Sequence, residues 1–511
     1  MERSKPDSSS GRVYLIGAGP GDPGLLTVRG KELLAEAEVV VYDRLASPRL
    51  LPFASPGAER IYVGKRMGSH TVTQEDINRI IVEKAREGKC VARLKGGDPF
   101  MFGRGGEEAQ ILAKAGIYFE VVPGVTSAIA VPAYAGIPLT HRAHTASVAF
   151  ITGHRKLDSK EADIDWEGLA KGVGTLVFLM GMKNLPNIAE RLMKYGRSPD
   201  TPVAVTRWGT TPLQTSITGK LINIAEKIRE ARLGPPSIIV VGEVVALRDK
   251  ANWFENLPLL GKRILVTRTR EQASDLVRLL ERRGAYCLEC PTIEVHWPKD
   301  LRPLDQAINS LSGFDWVIFS STNAVRFFFE RLFKLGFDLR ALGNIRIAVV
   351  GAGTGKAISA LHLNSDVMPD DFHAEGLIQA FSEIGVSGKR ILIPRAEKAR
   401  EILPKRLSEL GAEITLVPAY RTLAPDLKPE VLKILEQETI DVLTFTSSST
   451  VKNFFHLLSD DLRNQILDQA KVACIGPITA RTAKAFGLEV TVQPDKFTIP
   501  SLVSAIEDLF K

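Results

Sequence analysis

Three apolar runs in the first half of the chain each stop at a glycine turn that also carries polar or acidic residues. Val13-Tyr14-Leu15-Ile16 runs into Gly17-Ala18-Gly19-Pro20-Gly21-Asp22, and Cys90-Val91-Ala92-Arg93-Leu94 runs into Lys95-Gly96-Gly97-Asp98-Pro99-Phe100-Met101-Phe102-Gly103. The third turn is Val122-Pro123-Gly124-Val125-Thr126-Ser127-Ala128. Glycines let a ligand approach the backbone closely, and turns that follow successive strands of an open α/β sheet converge on the edge where such sheets bind ligands. The first turn spaces its glycines at every second position, and Pro20 stands where a phosphate-binding helix needs a free amide. That spacing, with no convincing ribose-binding acid, argues against a dinucleotide-binding dehydrogenase.

The second half repeats a different arrangement, in which a buried strand ends in hydroxyl residues that open a helix. Trp316-Val317-Ile318-Phe319 leads to Ser320-Ser321-Thr322-Asn323, and Val442-Leu443-Thr444-Phe445 leads to Thr446-Ser447-Ser448-Ser449-Thr450. Ile347 to Val350 into Gly351-Ala352-Gly353, and Val472 to Ile475 into Gly476-Pro477-Ile478-Thr479, are related units. Hydroxyls and free amides at helix N-termini hold carboxylates, and they also cap helices whatever the function. The run Gly351-Ala352-Gly353-Thr354-Gly355-Lys356 is not a P-loop, because Val350 stands where a glycine is needed and Ala357 where a Ser or Thr is needed.

Positioning these turns takes alternating strands and helices, the pattern of an α/β protein. Further strands are expected at Val39-Val40-Val41-Tyr42, Val148 to Ile151, Thr175 to Leu179 and Ser237 to Val241, and helices at 75–86 and 107–115. The pattern lapses from Leu247 to Gly261, then resumes with a strand at Ile264-Leu265-Val266-Thr267. Residues 11–250 are therefore expected to form one block, 251–261 a linker and 262–511 a second block. The second block has two similar α/β halves that suggest an internal duplication, with strands at 391–394 and 414–418 completing the alternation.

A chain of 511 residues exceeds the roughly 250 to 300 at which a single core stops growing. Charged residues make up 24%, the share of a soluble globular protein, and the net charge of +7 is spread without a basic block, so nucleic acid is not an expected partner. Four scattered cysteines exclude a disulfide framework. Cys287 and Cys290 have metal-like spacing but no second ligand pair, so no metal is expected. The polar start of the chain has no secretion signal, which weighs against a periplasmic-type binding protein, and no run reaches the roughly 20 apolar residues of a membrane span. A cytoplasmic protein is expected.

The first block resembles the uroporphyrinogen-III C-methyltransferases of the tetrapyrrole methylase family. The resemblance rests on residues 13–26 (VYLIGAGPGDPGLL), 41–45 (VYDRL), 63–66 (VGKR), 93–106 (RLKGGDPFMFGRGG), 121–128, 178–181 (FLMG) and 207–211 (RWGTT). It implies a two-lobed methylase with S-adenosylmethionine as methyl donor. The implied donor contacts are Pro20, Gly96, Gly97, Asp98, Met101, Thr126, Ser127, Met180 and Gly209, with Asp98 attracting the donor's positive charge. Asp43 and Lys65 map to the family's proposed acid/base pair, which suits a pyrrole ring that must lose a proton after methylation. Arg44, Arg66, Arg104 and His141 lie near these motifs and suit the eight carboxylates of uroporphyrinogen III. A homodimer through this block is expected.

The second block resembles uroporphyrinogen-III synthase, in the segments Val266-Thr267-Arg268, 319–325, Pro418-Ala419-Tyr420-Arg421-Thr422, 445–449 and 475–480. The resemblance implies a two-domain α/β fold, 262–298 with 424–511 in one lobe and 302–418 in the other, binding acyclic hydroxymethylbilane in the cleft. Tyr420, at the implied crossing, is the candidate donor to the departing hydroxyl, with Thr322 and Thr479 as lesser substrate contacts. Together the blocks imply ring closure with inversion of ring D and release of water, followed by transfer of two methyl groups to carbons 2 and 7 of uroporphyrinogen III. The product, precorrin-2, leads to sirohaem and cobalamin.

Overall fold

Strand β1 (Arg12–Gly17) buries Val13 and Leu15 in one core cluster and Tyr14 and Ile16 in another. Apolar side chains on both faces are what a strand covered on both sides requires. In the computed structural model, β1 lies inside a five-stranded sheet with β2 (Val39–Tyr42), β3 (Glu59–Tyr62), β4 (Cys90–Lys95) and β5 (Tyr118–Val122). The order is β3-β2-β4-β1-β5 and every pairing is parallel. Helices α1 (Val28–Glu36), α2 (Gln74–Arg86) and α3 (Gly105–Lys114) supply the crossovers that parallel strands need. Thr27 caps α1 by accepting the Gly30 amide at 3.1 Å, and Thr73 and Asp76 form a capping box on α2. Leu33 and Leu34 of α1 are buried, each worth about 1.5 to 3 kcal/mol of transfer from water.

The structure describes residues 11–64, 72–153, 164–267, 270–292, 294–369, 374–399, 401–423, 425, 427 and 429–511. Lys65 and Arg66 lie outside them. Among the described residues no helix is long and apolar enough to cross a membrane. The chain divides into two compact units, one mainly up to Lys262 and the other mainly from Arg263 to Asp508.

The first unit holds a second sheet, built from β6 (Val148–Thr152), β7 (Thr175–Leu179), β8 (Pro202–Arg207), β9 (Thr215–Lys220) and β10 (Ser237–Val241) in the order β6-β7-β10-β8-β9. β7 and β8 both run antiparallel to β10, so their C-terminal ends lie at the same edge. The β8–β9 hairpin was not expected from the sequence. β9 (TSITGK) has no fully buried residue and no apolar run to mark it.

The stretch on either side of residue 250 packs on the first unit. Residues Arg248–Ala251 are helical, and Phe254 is buried. Trp253 and Phe254 pack on the Tyr134 ring at 5.0 and 4.8 Å between centroids, and the Trp253 indole N–H donates to the Ala133 carbonyl at 3.1 Å. Arg248, itself buried, donates to the Ala135 carbonyl and pairs with Glu255. These aromatic and charged side chains are satisfied on the first unit.

The second unit contains two sheets of related order. One runs β12 (Tyr286–Glu289), β11 (Arg263–Val266), β18 (Val442–Phe445), β19 (Lys471–Cys474), β20 (Val490–Val492). The other runs β13 (Glu294–His296), β17 (Glu413–Leu423), β16 (Arg390–Ala396), β14 (Trp316–Phe319), β15 (Arg346–Val349). Numbered along the chain, the first sheet reads 2-1-3-4-5, and the second, with β13 set aside, reads 2-1-3-4 from β15 to β17. β13 corrects the lobe boundary: it pairs antiparallel with β17, Glu294 opposite Leu423 and His296 opposite Arg421. Residues 294–296 thus join the sheet assigned to 302–418, and that sheet continues through Leu423. Three residues, EVH, are too few to show a period, so only pairing places them.

Candidate functional site

In the first unit β4, β1 and β5 are neighbours, and their three glycine turns meet. A Cβ on Gly17 would lie 2.4 Å from the Gly124 Cα, and one on Gly124 would lie 2.3 Å from the Gly97 carbonyl oxygen. No residue but glycine fits at either contact. Gly97 also needs its glycine for φ = +70°, and it exchanges backbone hydrogen bonds with Gly19. The turns that carry Pro20, Gly96, Gly97, Asp98, Met101, Thr126 and Ser127 are therefore brought together. Thr126 is buried and caps α4 (Ser127–Tyr134), its hydroxyl accepting the Ala128 amide at 3.3 Å.

Asp98 fastens two of these turns. Oδ1 accepts the amides of Phe100 and Met101 at 2.8 and 3.0 Å, and Oδ2 accepts that of Gly124 at 2.9 Å. Attraction of a positive donor had been expected of this carboxylate. Its observed partners are three backbone amides, through which it joins the second and third turns.

Met180 and Gly209 follow β7 and β8 at one edge of the second sheet. The Gly209 loop reaches the first turn: a Cβ on Gly21 would lie 2.6 Å from Thr211 Cγ2, and the Asp22 amide donates to Thr210 Oγ1 at 3.2 Å. The Tyr134 hydroxyl donates to Asp22 Oδ2 at 2.7 Å, and burial with that bond pushes the phenol well above its ordinary pKa. Seven non-glycine residues have positive φ among the described residues, and Phe102, Arg104, Met180, Trp208 and Thr210 of this region are five of them. Such backbone strain collects where a site over-determines it.

Asp43 follows β2. Its Oδ1 accepts the Leu45 amide at 2.9 Å and closes the turn, while its Oδ2 receives Arg93 Nη2 at 3.1 Å. Arg93 is buried and belongs to a charged cluster that sequence reasoning missed. Glu108 Oε1 accepts from Lys95 Nζ at 2.7 Å, Gln74 Nε2 at 3.0 Å and Arg93 Nε at 3.4 Å. Desolvation, with Arg93 alongside, pushes the Lys95 ammonium below its usual pKa. The available signal was Arg93 and Lys95 two apart in an otherwise apolar strand, since buried cations need a paired acid.

The expected carboxylate-binding residues are more dispersed. Arg44 is exposed, its guanidinium 5.9 Å from the centre of the Trp208 ring. Arg104 is exposed and pairs with Glu107. His141 is exposed, in a bridge with Thr145, and its Nδ1 accepts the Ala143 amide at 3.2 Å.

In the second unit Ser321 caps the helix Thr322–Lys334, accepting the Ala324 amide at 3.1 Å, and its hydroxyl lies 3.0 Å from the Tyr420 hydroxyl. Tyr420 sits where the β16–β17 register shifts, beside Ala396, and its ring stacks on Phe327 at 5.8 Å. Burial raises its phenol above the ordinary pKa, and the bond to Ser321 partly offsets this. Thr322 is half-buried at the start of its helix. Ser447 caps Ser448–Leu457 within a capping box with Thr450. Thr479 is buried, and Ile478 is the exposed residue at that helix start.

Residues 12–225 match the tetrapyrrole (corrin/porphyrin) methylases, and residues 274–504 match uroporphyrinogen-III synthase HemD. A porphyrin biosynthesis protein HemD of Ruminiclostridium josui is 39% identical over 500 residues, which cover 98% of this chain and 98% of that protein. The chain belongs to this family of tetrapyrrole methylases joined to uroporphyrinogen-III synthases. An S-adenosyl-L-methionine-dependent uroporphyrinogen III methyltransferase of Methanosarcina barkeri is 56% identical over 239 residues, 47% of this chain and 94% of its own length. A crystal structure of uroporphyrin-III C-methyl transferase from Thermus thermophilus complexed with S-adenyl homocysteine is 42% identical, with a TM-score of 0.40, and covers 46% of this chain and all of its own. Within the joined methylase and synthase, the glycine turns, Asp43 and the Arg93 cluster fall in the methylase part, and Tyr420 with Ser321 in the synthase part. Tyr134 and Glu255 reach these turns through partners distant in sequence, Asp22 and Gln214, so no local pattern marked them.

Proposed function

We propose that this bifunctional enzyme closes hydroxymethylbilane to uroporphyrinogen III and then methylates that product to precorrin-2, the precursor of sirohaem and cobalamin. The observation that carries the methylase half is the meeting of Gly17, Gly97 and Gly124, whose missing side chains let three strand-end turns pack backbone to backbone. Glycine turns gathered at one sheet edge suit a nucleoside-bearing donor, which they let approach closely. S-adenosylmethionine, when bound, supplies the methyl group. Pro20, Gly96, Gly97, Met101, Thr126, Ser127, Met180 and Gly209 would hold it, with Asp98 fixing the loops. Asp43, oriented by Arg93, takes the proton that the methylated pyrrole must lose. Lys65 assists at the same step, and Arg44, Arg66, Arg104 and His141 receive substrate carboxylates.

In the synthase half, Tyr420 donates a proton as the bilane hydroxyl departs as water, and Thr322, with the amides at the helix starts, steadies the carboxylates. The methylase runs from residue 11 to about 256 and the synthase from 262 to 511, in two lobes. A cytoplasmic homodimer completes the reading, checked by sedimentation of the purified chain. The deciding experiment incubates the full chain with hydroxymethylbilane and S-adenosylmethionine and identifies products by mass and ring isomer. Dimethylated type III product supports the proposal, and unmethylated or type I product alone overturns it.

A further inference from the structure

We infer that residues 252–256, beyond the methylase motifs, are a strap that fixes the methyl-donor site, with Glu255 as its positioning residue. The inference rests on the donor reading of the glycine turns. Glu255 has a side chain only 14% exposed, and its carboxylate gathers three partners. Oε1 accepts from Gln214 Nε2 at 2.8 Å and from Ser216 Oγ at 2.6 Å, and Oε2 pairs with Arg248. The bond to Glu255 helps to set which way the Gln214 amide turns. Its oxygen then faces the Thr210 amide, which donates to it at 2.8 Å, and its nitrogen also donates to the Tyr134 carbonyl at 3.2 Å.

Thr210 is held at φ = +66°, a conformation that costs a non-glycine residue energy and persists only when its surroundings impose it. Its hydroxyl in turn receives the Asp22 amide. A chain of hydrogen bonds therefore runs from Glu255 through Gln214 and Thr210 to the first glycine turn. A second connection reaches the same residue, because Trp253 and Phe254 pack on the Tyr134 ring whose hydroxyl donates to Asp22. Removing Glu255 leaves the Gln214 amide held only by its bonds to the Tyr134 carbonyl and the Thr210 amide, which loosens the link to the loop that carries Gly209.

The test uses the full chain and S-adenosylhomocysteine as the probe, with affinity read by titration calorimetry. Glu255→Ala and Gln214→Met are each expected to weaken binding about tenfold, the effect of one partly buried hydrogen-bonded link. Glu255→Gln keeps an acceptor oxygen for Gln214 and Ser216 while giving up the ion pair with Arg248, so it should restore affinity while melting at a lower temperature than the wild type. Turnover at saturating donor should stay within about twofold, with the loss carried by the donor KM, since a positioning effect on binding leaves the chemical step in place. Ring closure of hydroxymethylbilane should be unchanged. Unaltered affinity in both Glu255→Ala and Gln214→Met, or Glu255→Gln losing as much affinity as Glu255→Ala, overturns the strap. A wild-type chain that fails to bind the probe overturns the donor reading itself, a result the variants alone cannot produce.

Discussion

Replacing Asp98 by Asn substitutes an NH2 group for one carboxylate oxygen, and its consequence separates loop fastening from charge attraction. If the amide turns its nitrogen toward Gly124, the 2.9 Å bond becomes a contact between two donors, while the bonds from Phe100 and Met101 survive with a neutral acceptor. The opposite orientation loses two bonds, so the first is the cheaper. A hydrogen bond to a charged group contributes about 1.5 to 3 kcal/mol. Losing one and weakening two costs roughly 2 to 4 kcal/mol, divided between the stability of the lobe and the ordering of the donor turns. A donor share of about 1.4 to 2 kcal/mol corresponds to a tenfold to thirtyfold rise in Kd. The assay is calorimetric titration of the variant with S-adenosylmethionine and, separately, with S-adenosylhomocysteine, which lacks the sulfonium charge. Fastening predicts that both weaken alike, with ring closure of hydroxymethylbilane untouched. Loss of affinity for the charged donor alone would refute this account and restore direct attraction as the role of Asp98.

Asp43→Asn should slow methyl transfer by about a hundredfold with donor affinity unchanged, and wild-type turnover would reduce Asp43 to a turn residue. Glu108→Gln leaves the buried Arg93 and Lys95 without the acid between them, a loss of about 3 to 5 kcal/mol. Thermal melting of the methylase part should fall by about 6 to 20 °C, and a shift under about 2 °C would show that the cluster is not ionised as drawn. Tyr420→Phe should slow ring closure and raise the share of isomer I, the product of closure without inversion. Because burial raises the Tyr420 phenol, its proton is retained throughout the neutral range and is lost only above the ordinary value near about 10. Ring closure should therefore show no loss from this group between neutral pH and that value, and a fall near neutrality would assign the step to another residue.

What the sequence disclosed and what it hid divide by the distance over which each feature is made. The run from Val13 into the turn at Gly17, and the run from Cys90 into Lys95-Gly96-Gly97-Asp98, are local, and a strand followed by glycines reads the same in sequence and structure. The family motifs carried the donor turns for the same reason. Partners made across the fold were silent. Asp98 gave no sign that Gly124 would be its partner, nor Arg93 that it would meet both Asp43 and Glu108. The stretch from Arg248 to Glu255 looked like a connector because it has neither helical nor strand period. Its side chains are nonetheless ordered by individual contacts with Ala133, Tyr134 and Gln214. In the second unit the hydroxyl turns were visible as caps, whereas the antiparallel placing of β13 against β17 was not.

The backbone contact among Gly17, Gly97 and Gly124 also has a consequence for the order in which a growing polypeptide becomes competent. Three well-separated stretches must be in place before that contact exists, and the Gly209 loop with Glu255 is added later still. Chains emerge from the ribosome N-terminus first, at about 5 to 20 residues per second. A nascent chain that ends after α4 would hold the three turns and the first sheet, yet the loop that bears on Asp22 would not have been synthesised. If these turns hold the donor as proposed, donor binding is acquired as a single late event, close to the point at which translation passes from the methylase into the synthase.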